Sequence, residues 1–250
     1  MAIVFLISLA TTLIVFHPRQ EPIYPTHYTY MKLRSADGIV LHMMETRPDN
    51  IQLVPIESNV TAAPFYGING GFFWEGYLLS IAVKNGRPVK GEPEQYGSGW
   101  FNRGVDSDLR RGTLVWDEAA QRFSVQVAAD ASELRVTDPR RFWAQGGVSM
   151  GLDRETSWEA SMIEEQMPAY DEERLRSGLV YDTRQNVYMI VTPTPCTVPQ
   201  FRAAILETLG HRGLVDGIFL DGDGSSQLRS RQVRLAGDNR PVYQMLALIN

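Results

Sequence analysis

VYMIVTPTPCTVPQFRAAILETLGHRGLVDGIFLDGDGSSQL, residues 187–228, sets an apolar strand, a capped helix and a second strand in succession. The opening run 187–192 (VYMIVT) is almost wholly apolar and β-branched or aromatic, the pattern of a strand buried on both faces. Thr197, with Gln200 three residues later, has the spacing of a capping box, and Pro199 suits the first helical turn, where its missing N–H costs nothing. Phe201, Ala204, Ile205 and Leu209 then share one helical face, and Gly210 is placed to end the helix. Residues 217–220 supply the next strand. Strand, helix, strand is a crossover unit, so the second strand is expected to lie parallel to the first in the same sheet.

Upstream, the signals are those of antiparallel hairpins. Residues 28–33 and 39–45 flank Asp37-Gly38, a strand follows at 51–57, and 79–84 and 87–90 flank Asn85-Gly86, the strongest short hairpin signal. Residues 113–117 and 122–127 form a further candidate pair. The stretch 158–176, rich in Glu, Met and Arg, reads either as a helix up to Pro168 or as a surface excursion. The fold expected is α+β: a mixed, largely antiparallel β-sheet core with packed helices and one βαβ crossover near the C-terminus.

Composition limits what such a fold can do. The 250-residue chain is 44% hydrophobic, ordinary for a packed globule, and carries a net charge of −5 from 24 basic and 29 acidic residues. No basic stripe is present, so nucleic acid is not an expected partner. Residues 2–16 (AIVFLISLATTLIVF) are uncharged and apolar or small throughout. At 1.5 Å per residue they reach about 22 Å, short of a hydrocarbon core of about 30 Å, so a signal-peptide core fits better than a full span. No basic residue precedes the run and no clear small-x-small cleavage site follows it; an uncleaved membrane tether or a buried first element is the alternative. Residues 1–27 are therefore assigned as export signal or anchor plus a proline-rich tether, and 28–250 as the folded domain, in a protein that is secreted, periplasmic or membrane-anchored facing outward. Cys196 is the only cysteine, which excludes an intrachain disulfide, and the four histidines (His17, His27, His42 and His211) have no metal-ligand spacing.

Two glycine-rich turns, GINGGFF (67–73) and FLDGDGSSQL (219–228), each follow an apolar run. The crossover puts Asp221 at the carboxyl end of its strand, where open sheets tend to hold ligands. Gly222 and Gly224 allow backbone N–H groups to converge on an anion, and Ser225 and Ser226 add hydroxyl donors, a combination suited to phosphate. In the first turn Asn69 can hydrogen-bond a sugar hydroxyl, with Gly70 and Gly71 clearing the space beside it. Taken alone, each turn is as readily a tight turn and nothing more.

GINGGFF, the hairpin at Asn85-Gly86, the Gly146-Gly147 turn, RSGLVYD with Arg176 and Gly178, LETLG and LDGDGSS occur in the order found in the phosphodiester glycosidase family, which the chain resembles over roughly 28–250. That resemblance implies a hydrolase acting where a sugar's anomeric carbon meets a phosphate, with carbohydrate or sugar phosphate as partner. By motif position it makes Asn69, Arg176 and Asp221 catalytic and Gly70, Gly71, Gly222, Gly224 and Ser225 substrate-binding, with Ser226 beside them. Asp221 is the expected nucleophile or base; Asp182 and Glu75 are second carboxylates to consider. One position departs: the family pattern is DGGGS, and this chain has Asp223 in the middle, a repulsive charge beside a phosphate unless a cation or an arginine offsets it. Asp221, Asp223 and Ser225 also imitate the start of a calcium loop, yet Ser226 stands where that loop needs glycine and Gln232 where it needs glutamate. No cofactor or metal is expected, calcium being the one ion the pattern leaves open. The competing readings are a non-catalytic carbohydrate or envelope-polymer binding module on the same fold and a calcium-stabilised structural domain.

Overall fold

A computed structural model of the chain describes residues 25–102 and 109–250. Strands β1 (Thr29–Arg34) and β2 (Val40–Thr46) form the hairpin expected across Asp37-Gly38. After β3 (Ile51–Ser58), the first glycine-rich turn grows out of β4 (Gly67–Asn69) and passes into a small hairpin of β5 (Phe73–Trp74) and β6 (Tyr77–Leu78). Strands β7 (Ala82–Lys84) and β8 (Arg87–Pro88) flank Asn85-Gly86, whose φ angles of +53° and +75° are those of a type I′ turn, the hand that matches strand twist. The next hairpin is β9 (Arg111–Asp117) with β10 (Arg122–Ala128), followed by β11 (Phe142–Gly146), β12 (Val148–Ser149) and a short helix α1 (Trp158–Glu164). The C-terminal third runs β13 (Arg174–Asp182), β14 (Val187–Cys196), helix α2 (Val198–Leu209), β15 (Leu214–Phe219), β16 (Leu228–Arg229), β17 (Arg234–Leu235) and β18 (Val242–Leu248).

These strands make a six-stranded sheet in the order β1-β2-β14-β13-β15-β12 and two five-stranded sheets, β10-β9-β11-β7-β8 and β17-β16-β4-β18-β3. Each pairing between these strands is antiparallel. The crossover is present with one strand interposed: β14 and β15 both run antiparallel to β13, so they are parallel to each other but not neighbours.

The six-stranded sheet sits at the centre because alternate residues of its strands feed two different cores. Val187, Met189 and Val191 of β14, Leu179 of β13 and Ile218 of β15 point to one side, where they meet Ile68, Trp116, Phe123, Trp143 and Leu246 from the other two sheets. Tyr188, Ile190, Val180 and Phe219 point to the opposite side and pack on Phe201, Ala204, Ile205 and Leu209 of α2. Burial on both faces is why the run 187–192 lacks polar alternation.

Helix α2 has the reciprocal capping box: Thr197 accepts from the Gln200 N–H, and the Gln200 side chain accepts from the Thr197 N–H at 2.8 Å. It ends as expected, at Leu209 with Gly210 as the C-cap. Gly210 is right-handed (φ −53°) and the chain continues through a 3-10 turn, Gly210–Arg212, until Gly213 at φ +76° breaks it. Helices are fewer than "packed helices" implies: among the described residues only two α-helices occur, of 7 and 12 residues, and the molecule is mostly antiparallel sheet. The stretch 158–176 resolves into α1, a loop through Pro168, and the start of β13. The expected export segment, 2–16, lies outside the described residues. Among those described, no helix is long and apolar enough to cross a membrane.

Candidate active site

Strand β15 ends at Phe219 and delivers Asp221 past the sheet edge, while β4 ends at Asn69 in the neighbouring sheet. The two turns meet. Asn69 Nδ2 donates to the Asp221 carbonyl at 2.8 Å and to the Gly70 carbonyl at 3.1 Å, and its Oδ1 accepts from Ser177 Oγ at 2.9 Å and from the Gln227 N–H at 3.1 Å. An asparagine amide has two donors and two lone pairs; all four are engaged, and the residue is 1% exposed. Asn69 is thus a clasp between the turns, with no hydrogen-bonding capacity left for a sugar hydroxyl. Gly70 and Gly71 are tight for the same reason, since a Cβ would lie 1.5 Å from Gln244 Oε1 at the first and 2.7 Å from the Gly146 carbonyl at the second.

Arg176, the third residue of β13 and the first buried one, turns its guanidinium on backbone. Nε donates to the Cys196 carbonyl at 3.1 Å, and Nη2 donates to the carbonyls of Ala169 and Glu172 at 2.6 Å each. These bonds fix the loop that walls one side of the cleft. The remaining terminal nitrogen, Nη1, looks toward Gly222, where a Cβ would stand 3.9 Å from it. Burial holds the Arg176 pKa below its ordinary value.

From Asp221 the chain makes a 3-10 turn, Asp223–Ser225, in which the Ser225 N–H donates to the Gly222 carbonyl at 3.1 Å and the Ser226 N–H to the Asp223 carbonyl at 3.0 Å. The expected convergence of N–H groups on an anion therefore loses Ser225. Gly224 is packed against Asp238, whose carboxyl would stand 2.2 Å from an added Cβ. Ser226 Oγ is buried without a hydrogen-bond partner, and the buried Ser225 hydroxyl faces the Asp221 carboxyl. Asp223 adopts φ +52°, the left-handed region where the DGGGS pattern has glycine, and its carboxylate lies 3.7 Å from Arg174 and 3.6 Å from Arg240. Those two arginines supply the offset that an acid at this position requires.

Asp221 lines a cleft of about 240 Å³ together with Arg174, Arg176, Gly222, Asp223 and Arg240, bordered on the far side by Phe72 and 167–169. The residue is partly exposed on the cleft side, but its carboxyl is surrounded by protein. Burial pushes it up to about 7, offset in part by the Ser225 hydroxyl and the charge of Arg240. A carboxyl poised near neutrality, beside a ring of guanidinium groups, is equipped for proton transfer on an anionic substrate.

The structure brings Asn69, Gly70, Gly71, Arg176, Asp221, Gly222, Gly224, Ser225 and Ser226 into one neighbourhood, and leaves two carboxylates out. Asp182 is at the other end of β13, about 20 Å away at 3.3 Å per residue, held by Asn186, Tyr188 and Arg184. Glu75 is exposed at the tip of the β5–β6 hairpin. Arg174, Arg240 and Asp238 are additions that the motifs did not indicate. Arg174 was legible in principle, two residues from Arg176 on one strand; Arg240 is brought in from a distant turn and had no signal. Among the described residues no group of three His, Cys, Asp or Glu side chains gathers in a metal-holding arrangement.

No protein-family model matches the chain, and no curated protein matches it in sequence. Its fold is similar to that of a phosphodiester glycosidase catalytic domain. The catalytic domain of zebrafish N-acetylglucosamine-1-phosphodiester alpha-N-acetylglucosaminidase, auto-inhibited by its pro-peptide, aligns with a TM-score of 0.59 at 12% identity, over 93% of this chain and 85% of that one. A protein of Burkholderia pseudomallei K96243 described as exported aligns at a TM-score of 0.35 and 13% identity, over 90% of this chain and 58% of its own, too weakly to carry an argument. The likeness at 12% identity is one of fold.

Proposed function

We propose that the chain is a hydrolase that cleaves the bond between a sugar's anomeric carbon and the phosphate of a phosphodiester, in an exported glycan or envelope polymer. The observation that carries this reading is the Asp221 carboxyl, raised to about 7 in a cleft ringed by Arg174, Arg176 and Arg240. The zebrafish protein of similar fold, an N-acetylglucosamine-1-phosphodiester alpha-N-acetylglucosaminidase by name, supports the same bond.

In this reading the phosphate sits against Arg174 and Arg240 at the cleft mouth, taking the place of the Asp223 carboxylate. Water adds to the anomeric carbon as the C–O bond breaks; its proton passes to ionised Asp221, and the phosphomonoester leaves with the bonding electrons. A phosphate monoester is a good leaving group, so stabilising its charge matters more than protonating it, and fixed guanidinium groups do that without reorganising. Arg176 adds positive charge from below while holding the wall at Ala169 and Glu172. Asn69 and Glu172's loop position the reacting groups.

The test is incubation with the p-nitrophenyl phosphodiester of N-acetylglucosamine 1-phosphate, following free sugar and p-nitrophenyl phosphate by chromatography. Release by the wild type and its loss in Asp221→Asn support the reading; full turnover in Asp221→Asn removes Asp221 from the mechanism. A second reading, a sugar-phosphate binding module without catalysis, is favoured by Asp223 lying between Arg174 and Arg240. Saturable binding of the ester with no product selects it.

A further inference from the structure

The cleft at Asp221 does not end at Phe72 and Pro168. The same two residues border a second, larger groove of about 710 Å³, which runs on past Trp74, Tyr96, Arg111 and Gln166. The groove's walls are aromatic and in part open to solvent: Trp74 is 65% exposed and Tyr96 48%. Soluble proteins seldom leave adjacent large rings uncovered without a ligand to meet them.

The backbone sets the direction of Trp74, and Tyr96 has a ring partner. In the β5–β6 hairpin the period of two turns Phe73 inward, where its ring meets Tyr243 at 5.0 Å, and so turns Trp74 outward. Glu75 and Gly76, at φ +46° and +86°, close the turn tightly behind it. Tyr96 rests on Tyr77 at 5.3 Å between centroids. At the inner end Arg111 is 5% exposed and fixed, its Nε and Nη2 donating to the carbonyls of Glu165 and Gln166 at 2.9 Å each, and its guanidinium lies 4.8 Å from the Phe72 ring centroid. Flat rings with a few oriented polar groups along one edge fit the surface of a pyranose, which offers C–H groups on its faces and hydroxyls around its rim.

We infer that this groove is a glycan subsite that seats two or more neutral sugar residues of a chain whose sugar phosphate lies in the Asp221 cleft, with Trp74 and Tyr96 as stacking platforms. The inference rests on the proposed hydrolase for the identity of the chain, and on the groove's own geometry for where the chain lies. The substrate of this protein is then an oligosaccharide or polymer whose further sugars add affinity, while the sugar phosphodiester alone suffices to occupy the Asp221 cleft.

The full chain is titrated by calorimetry with hexasaccharides and disaccharides of glucose, N-acetylglucosamine and mannose, and hydrolysis of the aryl phosphodiester by the wild type is measured alongside. At least one hexasaccharide is expected to bind, its disaccharide at least about tenfold more weakly, and Trp74→Ala and Tyr96→Ala are each expected to weaken the hexasaccharide about tenfold. Trp74→Phe keeps a ring and should keep most of the affinity, and unchanged melting of the Trp74 variants separates lost stacking from lost folding. Absence of binding by all three hexasaccharides, or equal affinity in wild type and Trp74→Ala, overturns the subsite. Ester hydrolysis without hexasaccharide binding overturns the subsite and leaves the hydrolase standing. Trp74-dependent binding without hydrolysis supports the subsite and overturns the hydrolase.

Discussion

Asn69 and Asp221, 152 residues apart in the chain, are joined by a hydrogen bond of 2.8 Å from the asparagine side chain to the aspartate's backbone carbonyl. The bond leaves the Asp221 carboxyl untouched and fixes the backbone that aims it. A return contact, from the Asp221 N–H to the Gly70 carbonyl at 3.3 Å, closes the junction.

Asn69→Ala removes both contacts that Nδ2 makes and leaves the Ser177 hydroxyl and the Gln227 N–H without their acceptor. Buried orphaned groups of this kind cost about 1–3 kcal/mol each before relaxation, so a net loss of about 2–4 kcal/mol is expected. Urea unfolding checks it: the midpoint should fall with the slope unchanged. A loss under about 0.5 kcal/mol would falsify the clasp.

The ionisation of Asp221 sets a pH dependence of stability. Its folded pKa of about 7 lies above its ordinary value of 3.8, so the folded protein holds the proton more tightly. That favourable contribution is complete below about 4 and is lost as pH rises to about 7. Asp216, pushed up to about 6 by burial, acts in the same direction. The stability of Asp221→Asn relative to wild type should therefore increase between pH 4 and pH 7, measured by chemical unfolding at each pH; a difference that stays flat would show the carboxyl is not perturbed.

Turnover should follow the opposite limb. If ionised Asp221 accepts the proton from water, kcat/KM for the aryl phosphodiester should climb with pH and level off above about 7. Asp221→Asn should lower the rate about 10²- to 10⁴-fold, the range of a single general base.

Asp223→Gly addresses the one departure from the DGGGS pattern. Glycine adopts φ +52° without the strain that a side chain incurs there, and its introduction releases Arg174 and Arg240 from a competing carboxylate. The variant is expected to be more stable by up to about 1 kcal/mol and to bind a hexose 1-phosphate several-fold more tightly. Weaker binding, read by calorimetry, would show that Asp223 itself contacts the ligand.

Local features of this chain were legible from its residues: the capping box at Thr197 and Gln200, the type I′ turn at Asn85-Gly86, and the parallel relation of the strands around α2. Each depends on neighbours in sequence or on a general rule of handedness. The interposed strand β13 was not legible, because which strand fills the gap in a crossover is settled by packing among distant segments. Asn69 shows the same limit at the site. Its residue type suits a hydroxyl ligand, but its partners at 177, 221 and 227 absorb it, and nothing near position 69 announces them. Arg240 reaches the cleft from a turn whose own residues, Asp238 among them, explain its pairing only once the fold is known.

Since β13 parts β14 from β15, a fragment beginning at 187 would carry the helix and both flanking strands yet have nothing to zip them together. Residues 214–219 pair with the edge of β13 opposite to the one that holds β14, so the strand leading into Asp221 depends on β13 for its place. The carboxyl on which the proposed chemistry depends is thus seated by the same pairing that fills the middle of the sheet, and a change that loosened β13 would unseat it from a distance.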